Sequence, residues 1–214
     1  MTYTYLNPDN AFIWRIVHCD NMPWLIQNGL HCANTPLQSN NWITIGNTEL
    51  IDRRSTRQVP IGNGGTLSDY VPFYFTPFSP MFYNIHTEHN GTNRVANEDI
   101  VILVASLHEL KASEVNFVFT DRHAYMQYAS FYQDLKYLNK IDWSILQHRD
   151  FRRDDNDPQK VERYQAEALI YEYHPIDQLK AIVCYNEAAQ SKIQGWLNQH
   201  NSNVSVVVRS DWYF

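Results

Sequence analysis

Short apolar runs of strand length, separated by polar and turn-forming segments, are the feature that most limits how this chain can fold. β-Branched, aromatic and aliphatic residues dominate each run, which is typical of strands in a packed sheet. We predict strands at Phe12–Val17, Val71–Phe75, Val101–Ala105, Asn116–Phe119, Ala168–Tyr173, Ala181–Tyr185 and Ser205–Val208.

Helical patterns are fewer. Apolar residues at three- and four-residue spacing predict helices over Arg122–Leu138 and Glu187–Gln199. A shorter helix is predicted after a cap at Asp20 or Asn21, with Gly29 just past its end. Many strands with few helices indicate an α+β fold and not a doubly wound parallel sheet.

Composition bounds the domain organisation. Of the 214 residues, 44% are hydrophobic and 14% aromatic, which is enough for a sizeable core in one domain over residues 1–214. Polar stretches near residues 33–66 and 149–164 are predicted to be long functional loops. No apolar run approaches the roughly 18 residues of a transmembrane helix, so we predict no membrane span.

Charge and cysteine content indicate the compartment and exclude one class of partner. The N-terminus lacks a signal-peptide pattern, and three cysteines without a CxxC motif favour a reducing cytoplasm. The net charge of −6 argues against a protein that coats duplex DNA, because such proteins are normally basic. A site that takes a few nucleotides through a local basic patch stays open.

Several common site motifs are absent from the sequence. There is no GxGxxG, no GxxxxGK[ST] and no GxSxG, so neither a dinucleotide-binding signature nor a nucleophile elbow is present. The pairs His18-Cys19 and His31-Cys32 do not have the spacing of structural zinc sites. We therefore predict no metal, with the cysteines packed as small apolar residues.

Three polar residues lie at positions that suggest a site. His18 ends the first predicted strand, Arg54 belongs to an Arg53-Arg54 pair in the first polar stretch, and Glu167 enters a late apolar strand. Each alone is explained by a turn, a solvated surface or a strand edge. A His on the first strand, an aromatic residue on the next segment and a Glu on a later strand together resemble the general pattern of ADP-ribosyltransferases.

Finer motifs give a closer resemblance. The chain resembles the DarT family of DNA ADP-ribosyltransferases, the toxins of bacterial toxin–antitoxin pairs, over its whole length. The matching segments, in chain order, are Ile16–Met22 (IVHCDNM), Arg53-Arg54, Asp69–Phe75 (DYVPFYF), Ser79-Pro80-Met81, Phe117–His123 (FVFTDRH), Gln165-Ala166-Glu167 and Asp211-Trp212-Tyr213. Phe78 departs from members that carry Arg there, so no phosphate or cofactor contact is carried over to that position.

The resemblance implies a fold and an activity. The expected fold is ADP-ribosyltransferase-like, with a central split sheet, mixed or antiparallel, and peripheral helices. The expected reaction transfers ADP-ribose from NAD, as co-substrate, to thymine N3 in single-stranded DNA and releases nicotinamide. Guanine in DNA, an RNA end, or a catalytically silent module that binds NAD or nucleic acid remain alternatives.

The resemblance also implies residue roles. Glu167 is the expected catalytic carboxylate, and Tyr74 is expected to stack on nicotinamide. His18 would bind the adenosine ribose, with Asp20 and Asn21 beside it in the cofactor site. Arg54 would lie beside the acceptor base while also contacting the cofactor.

The remaining implied contacts concern partners. A macrodomain antitoxin, a DNA ADP-ribosyl glycohydrolase, is expected to remove the ADP-ribose. Contacts to single-stranded DNA are expected from His123, Arg53, Arg57, Arg152 and Arg153.

Overall fold

The computed structural model describes residues 2–214 and has ten strands and seven α-helices within that range. The strands are β1 (Phe12–His18), β2 (Leu30–His31), β3 (Tyr70–Tyr74), β4 (Ile100–Ser106), β5 (Phe117–Thr120), β6 (Phe131–Tyr132), β7 (Glu167–Tyr171), β8 (Tyr173–His174), β9 (Ala181–Cys184) and β10 (Val206–Val208). The helices are α1 (Met22–Asn28), α2 (Thr48–Arg54), α3 (Pro80–Thr87), α4 (Leu107–Ala112), α5 (Trp143–Gln147), α6 (Lys160–Tyr164) and α7 (Glu187–Gln199). None of these helices is both long and apolar enough to cross a membrane.

Eight strands form one sheet in the order β10-β9-β4-β1-β3-β7-β5-β6, and β2 pairs with β8 in a small second sheet. β9 and β10 run parallel, while the other neighbours are antiparallel, so the sheet is mixed. β4 lies between β1 and β9 with all of its residues buried, and it forms the centre of the apolar core. The predicted α+β class is confirmed.

Most predicted elements are confirmed within one or two residues. All seven apolar runs contain strands, although Ala168–Tyr173 divides into β7 and β8 at Glu172, which has a positive φ of 55°. The predicted helix Glu187–Gln199 is α7, and the short helix is α1. Gly29 ends α1 with φ 81°, and a Cβ there would collide with the Tyr173 ring, so glycine serves both the turn and the packing.

The predicted helix over Arg122–Leu138 is wrong. This segment forms turns, the short strand β6 and a 3₁₀-helix over Leu135–Lys140. Its backbone N–H groups find tertiary partners instead of a helical ladder: the amide of His123 donates to the Glu162 carbonyl, and the amide of Ala124 donates to Glu167. Tyr125, Phe131, Leu135 and Leu138 pack against the core from this irregular backbone, whereas Tyr128 is exposed.

The sheet is split between β1 and β3. Seven register pairs join β1 to β4, whereas the single pair Trp14↔Tyr74 joins β1 to β3. Pro72, on β3, has no N–H to offer a neighbouring strand, and its carbonyl accepts a hydrogen bond from the Arg15 side chain at 2.9 Å. The ladder therefore stops at one pair and the two strands diverge into a cleft, which confirms the predicted split sheet.

Candidate active site

A cavity of about 630 Å³ opens at this cleft. That volume lies within the usual range of small-molecule sites, roughly 300–1,000 Å³. Five of the residues singled out from the sequence line it together: His18, Asn21, Arg54, Tyr74 and Glu167. They come from β1, the turn after it, α2, β3 and β7, so the fold collects groups that are far apart in the chain.

Glu167 is held in the wall of the cavity by several partners. It is the first residue of β7 and is 2% exposed. Its Oε2 accepts from Arg54 Nη1 at 2.9 Å, and its Oε1 accepts from the Ala124 amide at 2.9 Å. Burial alone would raise the pKa of Glu167, but the Arg54 guanidinium and the Ala124 amide outweigh burial and hold the pKa below its usual value. The carboxyl group is therefore ionised at neutral pH.

Arg54 reaches Glu167 from the last residue of α2. Asn47 is the N-cap of this helix, and its Oδ1 accepts from the Leu50 amide at 2.8 Å. Arg54 Nη1 donates to Glu167, while its Nη2 is buried without a hydrogen-bond partner. Because buried donors are rarely left unpaired, this Nη2 is a free donor for a substrate oxygen.

His18 has a defined donor direction. Its Nδ1 accepts from the Asp20 amide at 3.1 Å, which places the ring proton on Nε2. Asp20 itself is exposed and bonded to Lys192 at 2.9 Å, and it is not among the cavity-lining residues. His18 Nε2 can therefore donate into the cavity, while Asp20 acts only through its backbone.

Asn21 contributes to the cavity through a loop. Both ends of its amide bind the main chain of Ile43: its Nδ2 donates to the carbonyl at 2.8 Å, and its Oδ1 accepts from the amide at 2.9 Å. This pair of bonds ties the polar segment before α2 to the end of β1. Asn21 thereby shapes one wall of the cavity by holding Ile43, which also lines it.

Tyr74 and His123 flank Glu167. Tyr74 is opposite Glu167 in the β3–β7 register, and burial, with the nearby carboxylate, raises its pKa, so it stays a neutral phenol. His123 Nδ1 accepts from the Tyr125 amide at 3.1 Å and lies 3.4 Å from Glu167 Oε1. Burial lowers the pKa of His123, and the ring is therefore neutral. The sequence suggested His123 only as a DNA contact and gave no sign of its place beside Glu167.

The four arginines that were predicted to contact DNA do not line the cavity. Arg53 is exposed and pairs with Glu49 one turn earlier on α2. Arg57 donates to the Met126 carbonyl at 2.8 Å and also contacts the carbonyls of Ala124 and Gln127. Arg57 thus holds the loop after His123 against the domain. Arg152 and Arg153 are exposed on the 149–164 segment, which includes α6.

Comparison with known proteins identifies the family. The sequence model described as "ssDNA thymidine ADP-ribosyltransferase, DarT" matches residues 14–214. The chain belongs to the DarT family. A DNA ADP-ribosyl transferase of Escherichia coli O127:H6 (strain E2348/69 / EPEC) is 56% identical over 217 residues, covering 100% of both chains. A DNA ADP-ribosyl transferase of Thermus sp. (strain 2.9) is 33% identical over 219 residues, again covering 100% of both.

Solved DarT structures have the same fold. Thermus sp. 2.9 DarT in complex with ADP-ribosylated ssDNA superposes with a TM-score of 0.89 at 31% identity, covering 97% of this chain and 98% of that one. Thermus sp. 2.9 DarT in complex with NAD⁺ gives a TM-score of 0.84 at 31% identity, covering 97% and 100%. The predicted resemblance is confirmed: this DarT-family chain is an NAD-dependent DNA ADP-ribosyltransferase with an ADP-ribosyltransferase-like fold.

The sequence did not single out one charged residue of this DarT-family cavity. Arg15 lines the cavity, and its only sequence signal is that it is a charged residue inside an apolar strand. Phe78, where some family members carry Arg, is fully buried, with the Arg149 guanidinium 4.2 Å from its ring centroid. Position 78 is therefore part of the core.

Among residues 2–214, no three His, Cys, Asp or Glu side chains are grouped so that they could hold a metal ion.

Proposed function

We propose that this enzyme transfers ADP-ribose from NAD to N3 of thymine in single-stranded DNA, and that it acts as the toxin of a bacterial toxin–antitoxin pair. The observation that carries the proposal is the buried Arg54–Glu167 ion pair in a cavity that His18 and Tyr74 also line. The family description names thymidine, and relatives have been solved with NAD⁺ and with ADP-ribosylated ssDNA. These matches support the same substrates for this chain.

Cleavage of NAD needs an anionic group beside the nicotinamide ribose. As the C1′–N bond breaks, its electron pair leaves with neutral nicotinamide, and positive charge develops on C1′ and the ring oxygen. The Glu167 carboxylate is ionised and fixed by Arg54 and the Ala124 amide, so it is preorganised to stabilise that charge. Tyr74, neutral and opposite Glu167, would stack on nicotinamide.

The adenosine half of NAD would lie at the other end of the cleft. His18 lines the cavity, and its Nε2–H would donate to a hydroxyl oxygen of the adenosine ribose. Asn21 assists by tying the Ile43 segment in place, and Asp20 assists by fixing the His18 tautomer through its amide.

The acceptor step joins thymine N3 to C1′ and releases the N3 proton. The free Nη2 of Arg54 would donate to a carbonyl oxygen of the base, which stabilises the developing N3 anion. A guanidinium is a poor proton acceptor, so the N3 proton goes to Glu167 or to solvent. Arg54 therefore positions both the carboxylate and the base.

The DNA strand would approach from the side of the His123 loop. His123 lies beside Glu167, and Arg57 braces the residues that follow it. Arg53, Arg152 and Arg153 are exposed and available to phosphates. We also propose that a macrodomain glycohydrolase, the antitoxin expected for this family, removes the product and protects the host.

A direct experiment tests the acceptor. The protein is incubated with NAD and short single strands that contain all four bases or lack one of them, and each strand is then weighed by mass spectrometry. An ADP-ribose adduct on every strand except the one that lacks thymine is the expected result. Modification that depends on guanine, or that occurs only at RNA ends, would replace thymine as the acceptor.

A further inference from the structure

Thr120 is a buried hydroxyl residue to which the proposed reaction gives no role. It is the last residue of β5 and is 0% exposed. Its Oγ1 accepts from the Glu167 amide at 3.1 Å and donates to the Arg122 carbonyl at 2.6 Å. A hydroxyl has one proton to donate and lone pairs to accept, and here both capacities are used. The side chain of Thr120 therefore links the start of β7 to the turn that follows β5.

The hydroxyl stands where the ladder between β5 and β7 ends. The last register pair of these two strands is Phe119↔Ala168, so Glu167 lies one residue beyond it. On the other side of β7, Glu167 is paired with Tyr74 of β3. Because a buried N–H needs a partner, the Glu167 amide takes the side chain of Thr120 in place of a strand carbonyl. The substitute bond falls at the residue that carries the proposed catalytic carboxylate.

The same short segment also reaches the carboxylate end of Glu167. The amide of Ala124 donates to Oε1 at 2.9 Å, and Nδ1 of His123 lies 3.4 Å from the same oxygen. The bond from Thr120 to the Arg122 carbonyl holds the turn that leads directly to these two residues. Residues 120–124 therefore contact Glu167 at its main-chain amide and at its carboxylate, and one hydroxyl joins the two contacts.

We propose that Thr120 is a positioning residue, whose hydroxyl fixes the main chain of Glu167 and orients the following turn so that the Ala124 amide meets the carboxylate. This inference rests on the proposed function, since it takes Glu167 as the group that stabilises charge on C1′. A displacement of about 1 Å in a reacting geometry can cost 10²-fold in rate. Thr120 is not among the cavity-lining residues, so its loss should slow transfer without weakening NAD binding.

Three variants test the assignment. Thr120→Val keeps the branched shape without the hydroxyl, and Thr120→Ser keeps the hydroxyl. Thr76→Val makes the same change at another buried threonine, whose Oγ1 accepts from the Phe78 amide at 3.2 Å outside the cavity. In Thr120→Val, kcat for transfer to single-stranded DNA should fall about 10- to 100-fold with an unchanged KM for NAD. Thr120→Ser and Thr76→Val should stay close to the wild-type kcat.

A double-mutant cycle separates positioning from a general loosening of the fold. Glu167→Gln removes the charge that Thr120 is proposed to position. Thr120→Val should therefore slow the wild type by a much larger factor than it slows Glu167→Gln. The same factor in both backgrounds, or a raised KM for NAD, would mean that Thr120 only supports the structure. A wild-type rate in Glu167→Gln would overturn the proposed role of the carboxylate itself, and with it that of Thr120.

Hydrogen exchange keeps the proposal testable if Thr120→Val does not fold. In the wild type, the amides of Glu167 and Ala124 should be protected, because both donate within the segment that Thr120 holds. Thr120→Ser should retain this protection together with its activity. Exchange of either amide at the rate of exposed loops in the wild type would contradict the proposal. Loss of kcat in a folded Thr120→Ser that keeps the protection would contradict it as well.

Discussion

The two halves of the split sheet are built differently. In the half formed by β10, β9, β4 and β1, the strands are almost wholly apolar, and polar side chains with proposed roles occur only on β1, at the cleft edge. The half formed by β3, β7, β5 and β6 places Tyr74 and Glu167 on its strands and His123 just after β5. The first half is a scaffold that lends one edge to the site. The second holds the groups that would act on the ribose and the base, so the proposed chemistry lies where the ladder is interrupted.

The sharpest test of this difference is Glu167→Gln. The amide keeps the shape of the side chain but removes the charge, so transfer of ADP-ribose to DNA should fall by about 10²–10³. Rates are measured on single-stranded oligonucleotides with saturating NAD. Glu109→Gln, in the exposed pair with Lys180, is the control and should retain wild-type activity. A wild-type rate in Glu167→Gln would remove the carboxylate from the mechanism.

A substitution in the scaffold half should lower stability and leave ligand binding unchanged. Ile182, on β9, is fully buried and pairs with Leu103 on β4. Ile182→Ala should lower the free energy of unfolding by about 2–5 kcal/mol through lost burial and a residual cavity. NAD affinity per folded molecule should stay unchanged. Urea denaturation and calorimetry measure the two quantities, and weakened NAD binding in the folded variant would mean that the halves are not separable.

The stability of the fold should decrease in acid because of a buried histidine that packs against β3. His174, on β8, is fully buried with neither ring nitrogen bonded, and burial lowers its pKa to about 4. The unfolded chain binds this proton from about pH 6.5 downward and the folded chain only near pH 4, so stability is full above pH 6.5 and is lost as pH falls. Between pH 7 and 5 the loss from this group should be about 2 kcal/mol.

His174→Phe is the matching variant, because Phe keeps a flat ring against Phe73 and cannot take up a proton. Urea denaturation at the two pH values should show a smaller acid loss in His174→Phe than in wild type. An identical loss in both proteins would place the acid-sensitive group elsewhere.

The smallest expected effect is a change in NAD affinity, which should differ between variants of His18 and of Arg54. His18→Ala, on the β1 edge, should weaken NAD binding by about 1–3 kcal/mol, the usual cost of leaving a buried partner unpaired. Arg54→Ala should keep near-normal NAD affinity and yet transfer little ADP-ribose, because its proposed partners are the base and the Glu167 carboxylate. Calorimetry beside the transfer assay compares the two variants. An Arg54→Ala protein that binds NAD as poorly as His18→Ala would make Arg54 a dinucleotide ligand.

Much of the scaffold could be predicted from the sequence because its signals are local. Apolar runs mark the strands, and the spacing of Ile193, Trp196 and Leu197 marks α7, since each pattern lies within one element. The segment after β5 could not be predicted in this way. Its apolar spacing is helical, but its backbone amides are taken by Glu162 and Glu167, whose proximity is a property of the tertiary fold.

The sequence predicted which residues belong to the site, but it did not predict the contacts between them. His18, Arg54, Tyr74 and Glu167 follow from motif resemblance, but Arg54 and Glu167 are 113 positions apart, and nothing local states that they form an ion pair. Arg15 is 57 positions from Pro72, so its bond across the cleft depends on a strand alignment that the sequence does not reveal. Asn21 was expected at the cofactor, and its tie to Ile43 depends on where a long loop lies.

The single Trp14↔Tyr74 pair has a mechanical consequence. The strands on either side of this pair form their own ladders, and their apolar side chains pack in one core. A small rotation about the pair would change the width of the cleft mouth and stretch the Arg15–Pro72 hydrogen bond, which crosses the split. The cleft would then widen for a ligand while both ladders stay paired.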